Sequence, residues 1–266
     1  MASKKKVKRR LKKRVLITLI FVIVILMSVF TSLVKGVSKS AHEGIKSETE
    51  SMSLLKRTQK KETVQTVPEV KKVDKPVIVI DPAFGGEYAG SKGFNGVLQK
   101  DVNLDIALKV KKSLERYDDV SVFLTRDSDT TVPYEERISL IKDKKANVVV
   151  SIQQNTEGSG KAEGVETYVL SKEVYPDRDA GLGYTLQKSM GMYSVATDRG
   201  VMSRNIDILK DSYSNGAVGA VIYTGFITNE KESKNLTTDK YTEKLAEGIA
   251  QGILSYVDKT IHSEKK

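Results

Sequence analysis

Residues 77–86 read Val-Ile-Val-Ile-Asp-Pro-Ala-Phe-Gly-Gly, and this stretch indicates the class of fold. Its four β-branched residues follow one another without a polar interruption, which is typical of a strand buried on both faces. The run stops at Asp81-Pro82, where a loop rich in glycine begins. Strands covered on both sides occur mainly in parallel sheets with helices packed against each face. We therefore predict an α/β fold around this segment.

Apolar runs and helical patterns alternate along the rest of the chain. Strands are predicted at 77–80, 120–124, 148–152, 165–170 and 218–224, and helices at 101–114, 133–145, 179–192 and from 238 onward. This alternation predicts a mostly parallel twisted sheet with helices on both faces, in a single globular domain. Ligands of such sheets bind beyond the carboxyl ends of the strands, which here are the segments after Ile80, Ile152 and Thr224.

The amino terminus has the pattern of a membrane anchor. Residues 15–34 contain 16 Val, Leu, Ile, Phe or Met side chains and no charge. A helix of this length spans the hydrocarbon core of a bilayer, which is about 30 Å thick. Residues 1–14 carry nine Lys or Arg and no acid. The positive-inside rule therefore predicts a single-pass cell-membrane protein with a cytoplasmic amino terminus and an extracytoplasmic domain.

Two other interpretations of residues 15–34 are less favourable. A core helix of 20 residues normally has a polar face, and this segment has none. A cleaved signal peptide has a shorter apolar region followed by small residues at the cleavage site. Residues 35–41, Lys-Gly-Val-Ser-Lys-Ser-Ala, fit a cleavage site poorly.

Composition sets the remaining boundaries and excludes several kinds of site. Residues 35–75 are predicted to be a polar linker, 76–258 the folded domain, and 259–266 a polar tail. The net charge of +10 comes from the first 75 residues, because residues 76–266 carry 25 basic and 28 acidic side chains. This distribution argues against a nucleic-acid groove on the domain. The absence of cysteine excludes disulfides, thiolate zinc sites and cysteine nucleophiles.

Six fragments of the domain, taken in chain order, resemble one enzyme family. They are residues 79–101, 123–126, 136–137, 151–155, 164–168 and 223–229. Their order and spacing resemble those of the zinc-dependent N-acetylmuramoyl-L-alanine amidases, which cut the bond between muramic acid and the stem peptide of the bacterial cell wall. The resemblance covers nearly all of residues 76–258 and implies a zinc-dependent hydrolase site at the strand ends.

The same fragments depart from the family at the positions that the resemblance assigns to chemistry. Phe84 stands at the first zinc-binding histidine, and Gln99 at the glutamate ligand. Gln153 replaces the second histidine, and Tyr223 replaces the catalytic glutamate before Thr-Gly-Phe. Tyr88 stands where the family has an aspartate. We interpret the first four as vestigial site positions.

Four other residues match the family without being zinc ligands in it. They are Asp81, Arg126, Arg137 and Asn155. We interpret these four as retained structural or binding residues. Charge-assisted hydrogen bonds from the two arginines would hold loops and helix ends.

The replacements predict that the domain holds no zinc and has no catalytic residues. Phenylalanine has no lone pair, and neutral glutamine is a poor zinc ligand. The two histidines, His42 and His262, lie outside the domain, so no substitute ligand is at hand. Carboxylates alone would favour Mg²⁺ or Ca²⁺. Phe84 and Tyr223 either fill a space once held by metal and water, or form the walls of an aromatic recognition pocket.

The sequence thus supports a membrane-anchored, catalytically inactive amidase-like domain. Such a domain would regulate, scaffold or bind in peptidoglycan remodelling during division or sporulation, with peptidoglycan or a cell-wall, divisome or sporulation protein as partner. The competing hypotheses are a peptidoglycan amidase that keeps its activity through non-standard residues, and a purely structural surface module. Loss of every ligand together with retention of the scaffold favours an inactive domain.

Overall fold

The computed structural model describes residues 72–171, 179–194 and 196–261, which make up the folded domain. The predicted membrane span 15–34, its basic flank and most of the predicted linker lie outside the described residues. Within the described residues, no helix combines the length and apolarity needed to cross a membrane.

The domain contains six strands and six α-helices among the described residues, followed by one π-helical turn. The strands are β1 (Val77–Pro82), β2 (Ser121–Leu124), β3 (Val148–Asn155), β4 (Val165–Val169), β5 (Asp198–Ser203) and β6 (Val218–Phe226). The helices are α1 (Gln99–Leu114), α2 (Tyr134–Asp143), α3 (Ala180–Tyr193), α4 (Asp207–Ser214), α5 (Glu230–Asn235) and α6 (Asp239–Tyr256). The π-helical turn covers Val257–Ile261.

The strands form one sheet in the order β2-β1-β3-β6-β4-β5. All neighbouring pairs are parallel except β4 and β6, which are antiparallel. The prediction of an α/β domain with a mostly parallel sheet is confirmed. β5 was not predicted, because it lies at an edge of the sheet and most of its side chains are exposed, so it lacks an apolar run. The short helices α4 and α5 were also not predicted.

Two apolar layers cover the sheet, as expected from the alternation along β1. Ile78 and Ile80 pack in the cluster that contains the buried faces of α1, α3 and α6. Val79 packs on the other side, in the cluster with α2 and α4. Helices therefore lie on both faces of the sheet. Loops follow the carboxyl ends of the central strands β1, β3 and β6.

The edges of the domain lie slightly outside the predicted boundaries at 76 and 258. The backbone N–H of Val73 donates to the carbonyl of Ile261 at 2.9 Å. Ile261 is fully buried and completes the cluster beneath α6. α1 begins at Gln99, two residues before the predicted start at 101, and Asp101 lies within its first turn. Asp101 still complements the positive end of the helix dipole there.

Candidate functional site

The carboxyl ends of β1, β3 and β6 lie side by side, because these strands are neighbours in the sheet. Asp81 is in register with Ser151, and Gln153 is in register with Tyr223. The predicted positions on these strands therefore come together at one edge, where parallel sheets form their ligand sites.

Asp81 is the centre of a buried polar network at the end of β1. Its Oδ1 accepts hydrogen bonds from Arg137 Nη1 at 2.5 Å and from Thr125 Oγ1 at 2.6 Å. Its Oδ2 accepts from Ser151 Oγ at 2.8 Å. A buried carboxylate is tolerated only when it is paired and hydrogen-bonded, and these three donors meet that need. The network ties β1 to β3 and to α2.

Two buried arginines hold the loop after β1 by its carbonyl groups. Arg137 donates to the carbonyl of Pro82 at 3.1 Å and to that of Phe84 at 2.9 Å. Arg126 donates to Pro82 at 3.1 Å and to Ala83 at 3.2 Å. The rigid fork of a guanidinium group suits such multiple contacts. Both side chains are thus engaged in positioning the loop that carries Phe84.

Phe84 has a left-handed backbone, with a φ of 64°. This conformation is uncommon for any residue other than glycine and is unfavourable for a bulky one. The phenyl ring lies against Gly90, where an added Cβ would be 2.8 Å from Cδ2 of the ring. The same Cβ would be 2.6 Å from Oε1 of Gln99. Phe84 and Gln99 therefore converge on Gly90, which leaves no room there for a side chain.

Both ends of the Gln99 amide are engaged in hydrogen bonds. Oε1 accepts from the backbone N–H of Ser91 at 2.7 Å, and Nε2 donates to the carbonyl of Gln154 at 2.5 Å. The side chain is buried. Gln99 therefore links the loop after β1 to the end of β3, and its amide is already used at both ends.

Gln153 and Tyr223 are strand neighbours with different surroundings. Gln153 lies on the wall of a cavity. The ring of Tyr223 packs edge-on against Tyr168, with ring centroids 5.3 Å apart and an interplanar angle of 76°. Burial raises the pKa of the Tyr223 hydroxyl, so the phenol stays protonated at neutral pH. Tyr223 is partly buried against the apolar cluster that contains Tyr168.

Asn155 takes part in a second buried network, next to Tyr223. Its Nδ2 donates to Glu166 Oε1. Glu166, which is 2% exposed, also accepts from Arg199 Nε at 3.0 Å and from the Tyr168 hydroxyl at 3.4 Å. Glu166 is in register with Tyr223 across β4 and β6. Glu166, the buried carboxylate beside Tyr223 on β4, thus accepts hydrogen bonds on both of its oxygens.

Phe84 and Gln153 line a cavity of about 600 Å³ beside the Asp81 network. The wall also contains Tyr88 and Tyr134, whose rings are exposed, together with the first turns of α2 and α4. The Tyr134 hydroxyl donates to Asp211 at 2.5 Å and thereby ties α2 to α4. Cavities of about 300–1,000 Å³ are typical of small-molecule sites.

Among the residues that the structure describes, the side chains that could bind a metal do not converge. Among the described residues, no group of three or more His, Cys, Asp or Glu side chains is arranged to bind a metal ion. His42 and His262 lie outside the described residues.

Sequence reasoning missed three residues of this edge: Asn103, Gln154 and Glu166. Asn103 donates to the carbonyl of Ala83 at 2.9 Å and accepts from Gln154 Nε2 at 2.7 Å. It therefore connects the loop after β1 to the end of β3. Glu166 could have been recognised as the one acidic residue in the buried strand Val165–Val169. Nothing in the sequence distinguished Gln154 from its neighbours.

Comparisons with known proteins agree on one family. Residues 78–255 match the family described as N-acetylmuramoyl-L-alanine amidase. The N-acetylmuramoyl-L-alanine amidase LytC of Bacillus subtilis is 32% identical over 190 residues, which cover 67% of this chain and 35% of LytC. The germination-specific N-acetylmuramoyl-L-alanine amidase of the same organism is 28% identical, over 68% of this chain and 79% of the relative. The chain thus spans about a third of LytC.

Solved structures give the same result. The N-acetylmuramoyl-L-alanine amidase from Clostridium difficile 630 has a TM-score of 0.65 at 33% identity, over 70% of this chain and 98% of that chain. The CwlD amidase from Clostridioides difficile, solved in complex with the GerS lipoprotein, has a TM-score of 0.61 at 29% identity, over 69% of this chain and 99% of that chain.

Proposed function

Because this chain belongs to the N-acetylmuramoyl-L-alanine amidase family, we propose that it is a membrane-anchored member without catalytic activity. Its role is to bind, scaffold or regulate in peptidoglycan remodelling, in division or sporulation. The observation that carries this proposal is the set of side chains at the carboxyl edge of the sheet: Phe84, Gln99, Gln153 and Tyr223 occupy the positions that the resemblance assigns to zinc and its base.

These side chains do not fit a zinc ion. A catalytic zinc site uses three nitrogen, sulfur or carboxylate ligands and keeps one position open for water. The phenyl ring of Phe84 has no donor atom, and the amide of Gln99 is used in hydrogen bonds to Ser91 and Gln154. Gln153 by itself cannot form a zinc site, because such a site needs three protein ligands. These contacts support a domain that does not use zinc.

The general base is also missing. A base must accept a proton from the attacking water, and a phenol whose pKa is raised by burial is not available for this at neutral pH. Glu166 is the carboxylate nearest in register, but Asn155, Arg199 and Tyr168 already donate to it. These contacts argue against the alternative of an amidase that works through non-standard residues.

What the domain retains is the scaffold around the altered positions. The Asp81 network and the two arginines hold the loop of Phe84 in a strained conformation. Strain of this kind persists where the surrounding contacts over-determine it, and it concentrates at functional sites. We infer that a binding role accounts for the retention of this scaffold at the carboxyl edge of the sheet. A protein partner is supported by analogy with the CwlD amidase, which was solved in complex with a lipoprotein.

The proposed location follows from the amino-terminal pattern. A single span at 15–34 would leave the domain outside the membrane on a linker of about 40 residues, which reaches roughly 35 Å as a flexible chain. The domain would then work between the membrane and the inner layers of the wall.

The experiment that tests the proposal uses the full chain in detergent micelles. Zinc content after dialysis, hydrolysis of purified peptidoglycan and sedimentation with that peptidoglycan are measured together. We expect no stoichiometric zinc, no release of stem peptides, and co-sedimentation. One zinc per chain together with peptide release would overturn the loss of catalysis. Failure to bind either peptidoglycan or any wall-associated protein would remove the binding role.

A further inference from the structure

We propose that the outer face of the helices α1, α3 and α6 docks the domain onto the surface of an anionic lipid bilayer. These helices cover one face of the sheet. The cavity at the carboxyl edge is lined instead by the first turns of α2 and α4, which pack on the other face. The inference goes beyond the proposed function and rests on one part of it, the membrane anchor.

Large apolar side chains are concentrated on this outer face. Of nine such side chains that are exposed among the described residues, five lie on α1, on α3 or directly after α1: Leu108, Tyr117, Tyr184, Met192 and Tyr193. Met192 is 72% exposed and Tyr184 is 63% exposed. With Lys188, they follow one row of the α3 surface at four-residue spacing. Tyrosine is enriched where proteins meet lipid headgroups, because its ring is apolar and its hydroxyl stays hydrated.

Basic side chains surround a groove between α1 and α6 on the same face. The groove has a volume of about 570 Å³, and Tyr193 lies on its wall. Five of its nine wall residues are basic: Lys109, Lys112, Arg116, Lys240 and Lys244. The alkyl stem of a lysine can lie on apolar surface while its amine reaches the headgroup phosphates.

Two of these five cations are engaged by carboxylates. Lys109 Nζ lies 2.8 Å from Asp105 and 2.9 Å from Asp239. Arg116 Nη2 lies 2.5 Å from Glu247. Their positive charges are therefore offset, and the second aspartate at Lys109 leaves one negative charge there.

Three exposed lysines carry the remaining positive charge of the groove. Within the part of the chain that the structure describes, no ion pair involves Lys112, Lys240 or Lys244. Glu243, the other carboxylate of the wall, and the second aspartate at Lys109 offset two of these three charges. The groove thus keeps an excess of one positive charge, whereas residues 76–266 carry 25 basic and 28 acidic side chains.

Four further charged side chains of this face cancel. Lys111 pairs with Glu115 at 3.5 Å, while Lys188 and Asp101 contribute one charge of each sign. The groove is therefore the part of the face that attracts an anionic surface, and the exposed tyrosines and Met192 are the part that contacts lipid.

A weak contact is sufficient, because the proposed anchor keeps the bilayer close. The linker holds the domain within roughly 35 Å of the membrane, so docking is an intramolecular event with an effective concentration in about the millimolar range. A few lysines and tyrosines, too weak to bind a bilayer from solution, can then dock a tethered domain. Docking through the helices leaves the cavity at the carboxyl edge open.

The test uses the full chain inserted into lipid nanodiscs. The chain has no cysteine, so a single one can carry an environment-sensitive dye. Met192→Cys places the dye on the proposed face, and Ser139→Cys, exposed on α2, is the matched control. We expect the emission of the label at 192 to shift to the blue when phosphatidylglycerol is added to phosphatidylcholine, and the label at 139 to stay unchanged. High salt should reverse the shift.

Charge-neutral variants test the lysines. Each lysine near an anionic surface contributes about fivefold, so removal of three should lower the ratio of docked to undocked domain about 100-fold. The test variant combines Lys112→Gln, Lys240→Gln and Lys244→Gln. The matched control removes three exposed lysines outside this face and should keep the shift: Lys142→Gln, Lys145→Gln and Lys161→Gln.

The inference is overturned if the label at 192 does not shift, if both labels shift equally, or if both lysine variants lose the shift equally. It is also overturned if a soluble glycerol-phosphate oligomer binds through the three lysines and displaces the lipid, at a concentration where inorganic phosphate has no effect.

Flotation of the chain with vesicles tests the anchor separately. A chain that floats with phosphatidylcholine vesicles but shows no shift with phosphatidylglycerol would sink the docking and leave the anchor standing. A chain that does not float with phosphatidylcholine would sink the anchor. The docking is then decided by flotation with phosphatidylglycerol vesicles, which must depend on the three lysines.

Discussion

Gln153 and Tyr223 are paired in register on the parallel strands β3 and β6, yet their side chains lie in different environments. Gln153 lines the cavity at the carboxyl edge of the sheet, whereas the ring of Tyr223 packs against Tyr168. The resemblance assigns a zinc ligand and the catalytic glutamate to these two positions. Because their side chains now have separate surroundings, recovery of metal binding and recovery of catalysis become separate questions.

Repair of the site tests whether the scaffold still brings the four positions together. We expect the triple variant Phe84→His, Gln99→Glu and Gln153→His to bind zinc, because ligands need only converge on one point. Adding Tyr223→Glu should restore activity weakly or not at all, since catalysis also needs the surrounding residues in register. Zinc content and peptidoglycan hydrolysis measure the two outcomes.

The stability of the repaired chain provides a second measurement. The carboxylate introduced at 223 would be partly buried, and without a metal its burial would raise its pKa and destabilise the fold. The quadruple variant should therefore melt below the parent without zinc and recover when zinc is added. A repaired chain that zinc neither binds nor stabilises would mean that the positions do not converge.

Removal of the Arg137 guanidinium should be strongly destabilising. Arg137→Met leaves Asp81 buried without its charge partner, and breaking a buried pair in this way typically costs about 3–5 kcal/mol. Arg116→Met is the control, because the Arg116–Glu247 pair is solvent-exposed on the arginine side. Exposed pairs contribute about 0–1 kcal/mol. Denaturant unfolding of both variants measures the difference, and equal losses would contradict the role of the Asp81 network.

Close packing of α3 and α6 depends on Gly252. An added Cβ would lie 2.8 Å from the Cα of Leu186, which is backbone and does not yield easily. Gly252→Ala should therefore cost about 1–3 kcal/mol through overpacking. Gly191→Ala has the opposite expectation, because no atom lies within 4 Å of its added Cβ and alanine favours the helix by about 0.5–1 kcal/mol. Thermal melting that ranks the two variants in the reverse order would contradict this packing.

Alkaline pH should expose the burial of Tyr241. Burial raises the pKa of its hydroxyl from 10.0 to about 12. Between these values the unfolded chain ionises and the folded chain does not, so stability falls as pH rises through this window. Tyr241→Phe removes this group and should lose less stability than the parent between pH 10 and about 12. Denaturation midpoints of both proteins across the window measure the effect, and parallel curves would refute it.

Topology can be tested independently of the site. The test uses a reporter that is active only outside the cytoplasm. If residues 15–34 span the membrane as proposed, this reporter should be active when it is fused after Lys266. Protease added to wall-stripped cells should release the domain. The same fusion with residues 1–34 deleted serves as the control and should remain protected inside. Protection of the full-length fusion would contradict the anchor.

The fold class and the donor atoms missing from the altered positions could both be read from the amino-acid sequence. Continuous apolar runs such as 77–80 specify buried strands locally, because every residue in them must be covered by another layer. The six fragments that resemble the family were also readable in order. A phenylalanine at position 84 offers no lone pair wherever its side chain points, so the loss of a zinc ligand there follows from the residue type alone.

The contacts of the altered side chains depend on tertiary packing. Gln99 and Gln154 are 55 residues apart, and Arg137 and Asp81 are 56 apart, so their hydrogen bonds depend on how the strands and helices assemble. The separation of Tyr223, which packs partly buried against Tyr168, from Phe84, which lines the cavity, has the same origin. β5 was missed because an exposed edge strand carries no apolar pattern. Local pattern specifies the elements that are buried by continuous apolar runs, and long-range packing decides which side chains meet.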